Sequence, residues 1–273
     1  MPETVERCVI CHREDSDKDA AATEYLNLPK PFAVVKCRGC DFRWLSPRPT
    51  ADEYKALYSG AYFSSSSESS VEMDWLRQFP PAAADYIEEA LPARRWLYED
   101  RVRMLRAMFP EKKSILDVGA ATGEFLSIAR QGGFEPHGIE LSEYDCRMAA
   151  ECHGFSLTHG DLLDFDAGDR RYDIVHLHHV FEHFTDPVVA ARKLRSLMAI
   201  KGIVLIEVPS QFDNWPFKLR RFFGRDPRKV RDMHSIHHLY FYICGTSFGY
   251  WMITVSKYCV REAFGSNVGS RAR

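Results

Sequence analysis

Residues 114–142 read SILDVGAATGEFLSIARQGGFEPHGIELS. The stretch opens on an apolar run through Ile115, Leu116 and Val118, breaks at Gly119 and Gly123, and resumes with Phe125, Ile128 and Ala129 at i, i+3, i+4 spacing. Gly132 and Gly133 end that stripe, and a second apolar run closes on Glu140. The order is strand, tight turn, amphipathic helix, strand. With no side chains at Gly119 and Gly123, backbone can approach a ligand at the turn, and a carboxylate about 20 residues further on can accept both hydroxyls of a ribose. Asp117 lies at the first turn and Glu140 at the end of the next strand. The layout is that of a nucleoside-cofactor site. An ordinary strand-to-helix turn would account for the glycines and leave Glu140 unexplained.

The alternation continues outward. FSLTHGD (155–161), YDIVHLHHV (172–180) and GIVLIEVP (202–209) are further candidate strands. They are rich in Ile, Val and Leu with little polar alternation, as strands buried on both faces are. Ser142 with Asp145 gives an S-x-x-[DE] helix start, and Asp186-Pro187 gives an N-cap followed by proline at the first helical position. Upstream, Leu97, Val102, Leu105 and Met108 are spaced as one face of a core-covering helix within 80–113. Repeated βα units imply right-handed crossovers and a doubly wound, mostly parallel sheet, an α/β fold of Rossmann-like type. Ligands in such sheets bind beyond the carboxyl ends of the strands, where Asp117, Glu140, Asp161 and His178 would emerge.

A dinucleotide fingerprint reads G-x-G-x-x-G and sets a pyrophosphate on a helix N-terminus. Here the turn reads DVGAATG, which speaks against a nicotinamide-linked oxidoreductase. The turn resembles motif I of the class I S-adenosylmethionine (SAM) methyltransferases, acidic-x-G-x-G-x-G, with Ala121 at the middle glycine. The resemblance implies that Asp117 and the loop Gly119, Ala120, Ala121 and Gly123 meet the methionyl end and the ribose region. It puts Glu140 on the ribose hydroxyls, Asp161 on the adenine amino group, and Leu141 and Leu162 against the ring. Asp161 alone is also what a turn after a strand carries; its place about 20 residues beyond Glu140 favours the adenine role.

Methyl transfer from a cationic sulfur needs positioning and exclusion of water, and a hydroxyl acceptor also needs a base. HLHHVFEHFTDP (176–187) supplies His178, His179, Glu182 and His183 after the fourth strand. His178 and His179 are candidates to line the pocket and take that proton, while His183 equally serves to brace the loop before Asp186. His179-x-x-Glu182-His183 also resembles the E-x-x-E-H of ubiquinone-pathway O-methyltransferases, thought to bind a divalent metal, and would make a mixed N/O site. His238, in HSIHHLYFY at the start of the next expected helix, is a further candidate base.

Across its 273 residues the chain is 45% hydrophobic and 27% charged, ordinary values for one sizeable core with a smaller module. Lys plus Arg number 36 against Asp plus Glu 38, which removes the global electrostatic case for nucleic-acid binding. MPETVERCVI lacks the regions of a secretion signal and no apolar run is long enough to span a bilayer, so a cytoplasmic protein is expected. Four of the eight cysteines fall in two pairs, Cys8-x-x-Cys11 and Cys37-x-x-Cys40. In a reducing compartment such pairs more often hold metal, and four thiolates in two tight turns can close a tetrahedral, structural zinc site. A redox C-x-x-C or unligated thiols are the alternatives; His12 could substitute as a ligand, although four available thiolates favour its being a bystander. The following aromatic strand, then S-P-R-P and a Tyr-rich helix, resembles the zinc-ribbon leader of one methyltransferase subgroup.

The expected organisation is a zinc-ribbon leader at 1–60, a Ser-rich break and helical lead-in at 61–113, a SAM-dependent methyltransferase domain at 114–242 and an atypical tail at 243–273. The tail is too short for the family's closing helix and strand pair, so the C-terminal edge of the sheet is expected to be incomplete, with YWMITVSKYCV (250–260) as one candidate strand. Between 215 and 231, Trp215, Phe217, Phe222 and Phe223 interleave with Lys and Arg. That stretch reads either as a lid that recruits an anionic or carrier-linked small-molecule acceptor or touches a membrane peripherally, or as a solvated basic face. The implied reaction is O-methylation of a small molecule such as a sugar or secondary metabolite, with N- and C-methylation open. The reading from another class is a catalytically inactive SAM-fold scaffold that recruits partners through the ribbon, for which Ala121 and the short tail speak.

Overall fold

The computed structural model describes residues 3–26, 28, 30–50, 91–209, 212, 239–241 and 253–255. In chain order its elements begin with β1 (Ser16–Lys18), α1 (Ala20–Tyr25), β2 (Val34–Cys37), β3 (Arg43–Leu45), α2 (Leu91–Met108), β4 (Ser114–Val118), α3 (Glu124–Gln131) and β5 (Glu135–Glu140). They continue with α4 (Glu143–His153), β6 (Thr158–His159), β7 (Tyr172–His178), α5 (Pro187–Leu197), β8 (Met198–Glu207), β9 (Tyr240–Phe241) and β10 (Ile253–Val255). The chain divides into two compact units. One gathers Met1–Ala51, His179–Val188 and Ile206–Arg273; the other, Asp52–His178 and Val189–Leu205.

The first unit holds an antiparallel sheet in the order β1-β2-β3-β9. Val34 pairs with Leu45 and Lys36 with Arg43, so the second cysteine pair sits in the turn of the β2-β3 hairpin. Asp19 caps α1 by accepting the Ala22 amide at 3.0 Å, and its other oxygen meets the Arg43 guanidinium at 2.8 Å. Trp44 is wholly buried and satisfies its one donor by giving Nε1–H to the Val5 carbonyl at 3.0 Å. The segment around Tyr240, expected at a helix start, instead supplies a strand: Tyr240 and Phe241 are buried and pair with Trp44 and Arg43. Pairing satisfies backbone groups that an open edge of β3 would expose. His234, His237, His238 and the stretch 215–231 lie outside the described residues.

The second unit carries the expected sheet. Its strands lie in the order β8-β7-β4-β5-β6, and β7, β4, β5 and β6 run parallel. Ile115, Leu116, Ile174, Val175 and Leu177 are fully buried, which is why these strands show no polar alternation. Phe125, Leu126, Ile128 and Ala129 of α3 enter one core with Ile115, Ile174, Ile203 and Leu205. Each buried Leu, Ile or Phe among them contributes about 1.5–3 kcal/mol. Gly138 permits the close approach of α3 to β5: a Cβ there would stand 2.7 Å from Leu126 and 2.6 Å from Leu157.

Both expected helix starts are present. Ser142 Oγ accepts the Asp145 amide at 3.2 Å, and Asp186 Oδ1 accepts the Val188 amide at 2.9 Å. The lead-in helix α2 buries Tyr98, Arg101, Val102 and Leu105, whereas Met108 is 55% exposed. Met108 ends the helix, and Phe109 packs against the core in its place. FSLTHGD forms only the short strand β6, an edge paired on one side with β5. Of the tail, Ile253–Val255 is strand; the completeness of the sheet edge turns on residues outside those described.

Candidate functional site

The carboxyl ends of β4, β5 and β6 bring most of the expected cofactor residues together in the second unit. Gly119 and Gly123 have φ of 73° and 78°, the left-handed conformation that glycine adopts freely. Ala121 shares it at φ 46°, so the chain keeps the turn of a glycine with an alanine. The amides of Gly119 and Ala120 donate to the Ile139 carbonyl at 2.9 and 3.1 Å, which ties the loop to β5. A Cβ on Gly123 would stand 3.2 Å from Ala149, so this position is also closely packed.

Glu140 is buried at the end of β5. Its Oε2 accepts the Ala121 amide at 2.8 Å and its Oε1 the Ser142 amide at 2.9 Å. Burial pushes its carboxyl up, the amides of Ser142, Ala121 and Leu141 oppose that, and Asp117 adds to the rise. A carboxylate offers about four acceptor directions, and those that the backbone amides leave open suit ribose hydroxyls. The donor set therefore fits a nucleoside, with Glu140 held in one orientation before any ligand arrives.

Asp117 is also buried, and burial raises its carboxyl well above the usual carboxylate range while Arg101 lowers it. His176 Nδ1 lies 2.7 Å from Asp117 Oδ1, and the His176 ring stacks on Phe125 at 4.0 Å between centroids. Arg101 lies over the Tyr98 and Phe125 rings at 5.5 and 6.0 Å. Tyr98 in turn meets His178 edge-on at 5.7 Å. Sequence reasoning missed Tyr98, Arg101 and His176. Their helical spacing and the register that pairs Asp117 with His176 were the available signals, and the second exists only once β4 and β7 are aligned.

Gly160 N–H donates to the Glu140 carbonyl at 2.9 Å, which brings the 160–162 turn beside Glu140. Leu162 is buried and Leu141 half-buried, whereas Asp161 is exposed and accepts the Leu163 amide at 2.8 Å. His178 ends β7 at the same end of the sheet. His179 and His183 belong to the first unit, around a buried Glu182: His179 Nδ1 and His183 Nε2 lie 3.5 and 3.9 Å from Glu182 Oε1. His179 takes φ 56° and gives its amide to the Glu207 carbonyl.

The four cysteines of the first unit converge. Cys8 and Cys40 Sγ are 3.6 Å apart, Cys11 and Cys37 Sγ 3.4 Å, and all four lie within 4.8 Å of one another. These separations are too long for disulfides and bracket the ~3.8 Å between thiolates around a tetrahedral zinc with Zn–S of about 2.3 Å. The two turns repeat one geometry. The amide at the fourth position after each leading cysteine, His12 and Asp41, returns to the Cys8 and Cys37 carbonyls at 2.9 and 3.0 Å, and both residues take φ 60°. Burial raises the Cys8 and Cys40 thiols. Burial also acts to raise Cys11, but the Arg13 amide and the neighbouring thiols outweigh it and bring that thiol down to about 7. Among the described residues, this is the one His/Cys/Asp/Glu group with donor atoms close enough to share an ion; His179, Glu182 and His183 do not form another.

No helix among the described residues is long and apolar enough to cross a membrane. No curated protein matches the sequence. Among solved structures, DesVI of Streptomyces venezuelae is 24% identical, with 45% of this chain and 54% of that chain covered and a TM-score of 0.40. SAM-bound CalS10, an amino pentose methyltransferase from Micromonospora echinaspora, gives 24%, 45%, 55% and 0.40 in the same order. The sugar N-methyltransferase KedS8 from Streptoalloteichus gives 23%, 53%, 59% and 0.42. The chain thus spans a little over half the length of each. A family model described as a methyltransferase domain matches residues 89–242. That match takes in more than half of the sequence and every residue of the glycine turn and its acids, and the chain belongs to the methyltransferase-domain family.

Proposed function

We propose that the protein is a SAM-dependent methyltransferase that methylates a hydroxyl of a small molecule, a sugar or secondary metabolite. The observation that carries the reading is Glu140, whose two oxygens are fixed by the Ala121 amide of the glycine turn and the Ser142 amide after β5, with acceptor capacity left for a ligand. SAM, when bound, supplies a methyl group on a cationic sulfur. Asp117 and the loop 119–123 hold the methionyl end, Glu140 the ribose, and Leu141, Asp161 and Leu162 the adenine. The buried floor of Phe125, His176 and Tyr98 keeps water from beneath the site.

His178 is the base of this reading, its imidazole accepting the acceptor's hydroxyl proton; His179, His183 and His238 are the alternatives from the sequence. In the first unit the four thiolates hold a structural zinc. The basic, aromatic stretch 215–231 recruits an anionic or carrier-linked acceptor; that part of the reading rests on sequence alone.

Calorimetry with SAM and a release assay for S-adenosylhomocysteine over a panel of hydroxylated acceptors test the proposal. Saturable SAM binding with turnover, lost in His178→Ala, supports it. A wild-type protein that ignores SAM defeats it, and SAM binding without turnover on any acceptor turns the reading to a scaffold.

A further inference from the structure

We infer that His176 is a positioning residue of the cofactor site, which occupies one oxygen of Asp117 so that the other faces a cationic group of the ligand. The inference rests on the reading of Asp117 as a cofactor-binding acid. Three observations carry it. His176 is 1% exposed and is the direct cross-strand partner of Asp117 in the β4-β7 ladder. Its Nδ1 stands 2.7 Å from Asp117 Oδ1, within the range of a charge-assisted hydrogen bond. Its ring lies against Phe125 at 4.0 Å with 26° between planes, and stacks on His178 at 6.4 Å and 24°. The ring turns only by giving up its contact with Phe125, so the direction in which Nδ1 points is set by packing.

Among the described residues, the charged and titratable groups around Asp117 come from three elements. β7 supplies His176 with His178 beyond it, α2 supplies Arg101, and β5 supplies Glu140. Burial favours the neutral acid at Asp117, and Arg101 favours the charged one. A hydrogen bond from an imidazole N–H also favours the carboxylate. Without it, Asp117 takes up a proton more readily, and the neutral acid attracts an ammonium or sulfonium less. Loss of His176 therefore acts through Asp117, and its effect shrinks as the pH rises.

The test compares wild type, His176→Leu, His176→Asn and His176→Gln by calorimetry with SAM between pH 6 and 9, with melting curves alongside. Loss of a hydrogen bond to a charged group predicts SAM binding about 10- to 100-fold weaker in His176→Leu at neutral pH. The deficit narrows toward pH 9, while the melting transition stays cooperative. Asparagine places an N–H where imidazole Nδ1 lies and restores most of the affinity; glutamine reaches past it and does not. Equal affinity and equal pH profiles for wild type and His176→Leu overturn the inference. If His176→Leu does not melt as a folded protein, the amide pair decides, and equal affinities for His176→Asn and His176→Gln overturn it. A wild-type protein that binds no SAM defeats the cofactor reading instead, which is a separate result.

Discussion

The cysteine turns and the glycine turn each bury groups that water would otherwise solvate, and they offset the cost in opposite ways. In the first, four thiols face one another and backbone amides reach them, as from Gly39 to Cys37 at 3.3 Å and from Arg13 to Cys11, but these amides carry no net charge. Were all four ionised as thiolates, a bound cation would supply the compensation. In the second, Glu140 and Asp117 have their partners built in: the amides of Ala121 and Ser142, the imidazole of His176, the nearby guanidinium of Arg101. A site that is complete without its ligand keeps its shape when empty. One that is incomplete without it makes folding conditional on the ligand.

The largest expected effect follows from that difference. With zinc as the compensating cation, its binding contributes on the order of 10 kcal/mol to the first unit at neutral pH. Cys37→Ser or a strong chelator should release about one zinc per chain and expose Trp44, now wholly buried, with a red-shifted emission. The sheet of the second unit should keep its circular dichroism and its melting transition. Purified protein without zinc whose Trp44 emission ignores chelators would break the comparison.

Next in size is the ligand arm of the built-in site. Glu140→Gln replaces one acceptor by a donor that faces an amide of Ala121 or Ser142. SAM affinity should fall about 10- to 100-fold, and stability by about 1–3 kcal/mol, through one lost hydrogen bond and one unsatisfied amide. Chemical denaturation and calorimetry read the two separately. Glu140→Gln with unchanged SAM affinity would remove the ribose role.

A third test uses an acid whose compensation is internal and whose site is purely structural. Asp173 Oδ2 accepts the amides of Lys113 and Ser114 at 2.9 and 3.1 Å, where α2 gives way to β4. Burial pushes its carboxyl up, but these bonds and Lys112 outweigh it and the net shift is downward. A depressed folded pKa gives stability that is present above the ordinary carboxylate range and lost as pH falls through the folded value. Asp173→Ala should therefore cost about 1–2 kcal/mol at pH 7 and progressively less toward pH 2. A cost that does not change with pH would assign the effect to packing.

These contrasts also sort what the sequence made legible. The two cysteine turns and the glycine turn are local: spacing alone puts Cys8 beside Cys11 and Gly119 beside Gly123, and Glu140 follows one helix later. The strands of the second unit were legible because burial on both faces leaves unbroken apolar runs. What escaped depends on alignment of distant segments. His176 looks like one of a run of histidines until the β4-β7 register sets it against Asp117. Arg101 reads as a solvent-facing charge on a helix until Tyr98 and Phe125 are seen beneath it. The strand at Tyr240 is short, and only the open edge of β3 explains why it forms.

The smallest expected effect tests how far the built-in site is strained. Ala121 holds φ 46° while its amide donates to Glu140. A left-handed conformation costs an L-residue roughly 1–2 kcal/mol, while glycine costs about 0.5–1 kcal/mol in lost chain entropy. Ala121→Gly should thus stabilise the second unit by up to about 1 kcal/mol, a rise of roughly 2–4 °C in its melting temperature. The amide to Glu140 is backbone and survives the change, so SAM should bind at least as tightly as before. A lower melting temperature would mean that the Ala121 methyl makes packing contacts worth more than its strain. Weaker SAM binding at a raised melting temperature would mean that the alanine holds the loop in the shape the cofactor needs. In that case the departure from glycine is a part of the site, fixed by the same logic of advance compensation that holds Glu140.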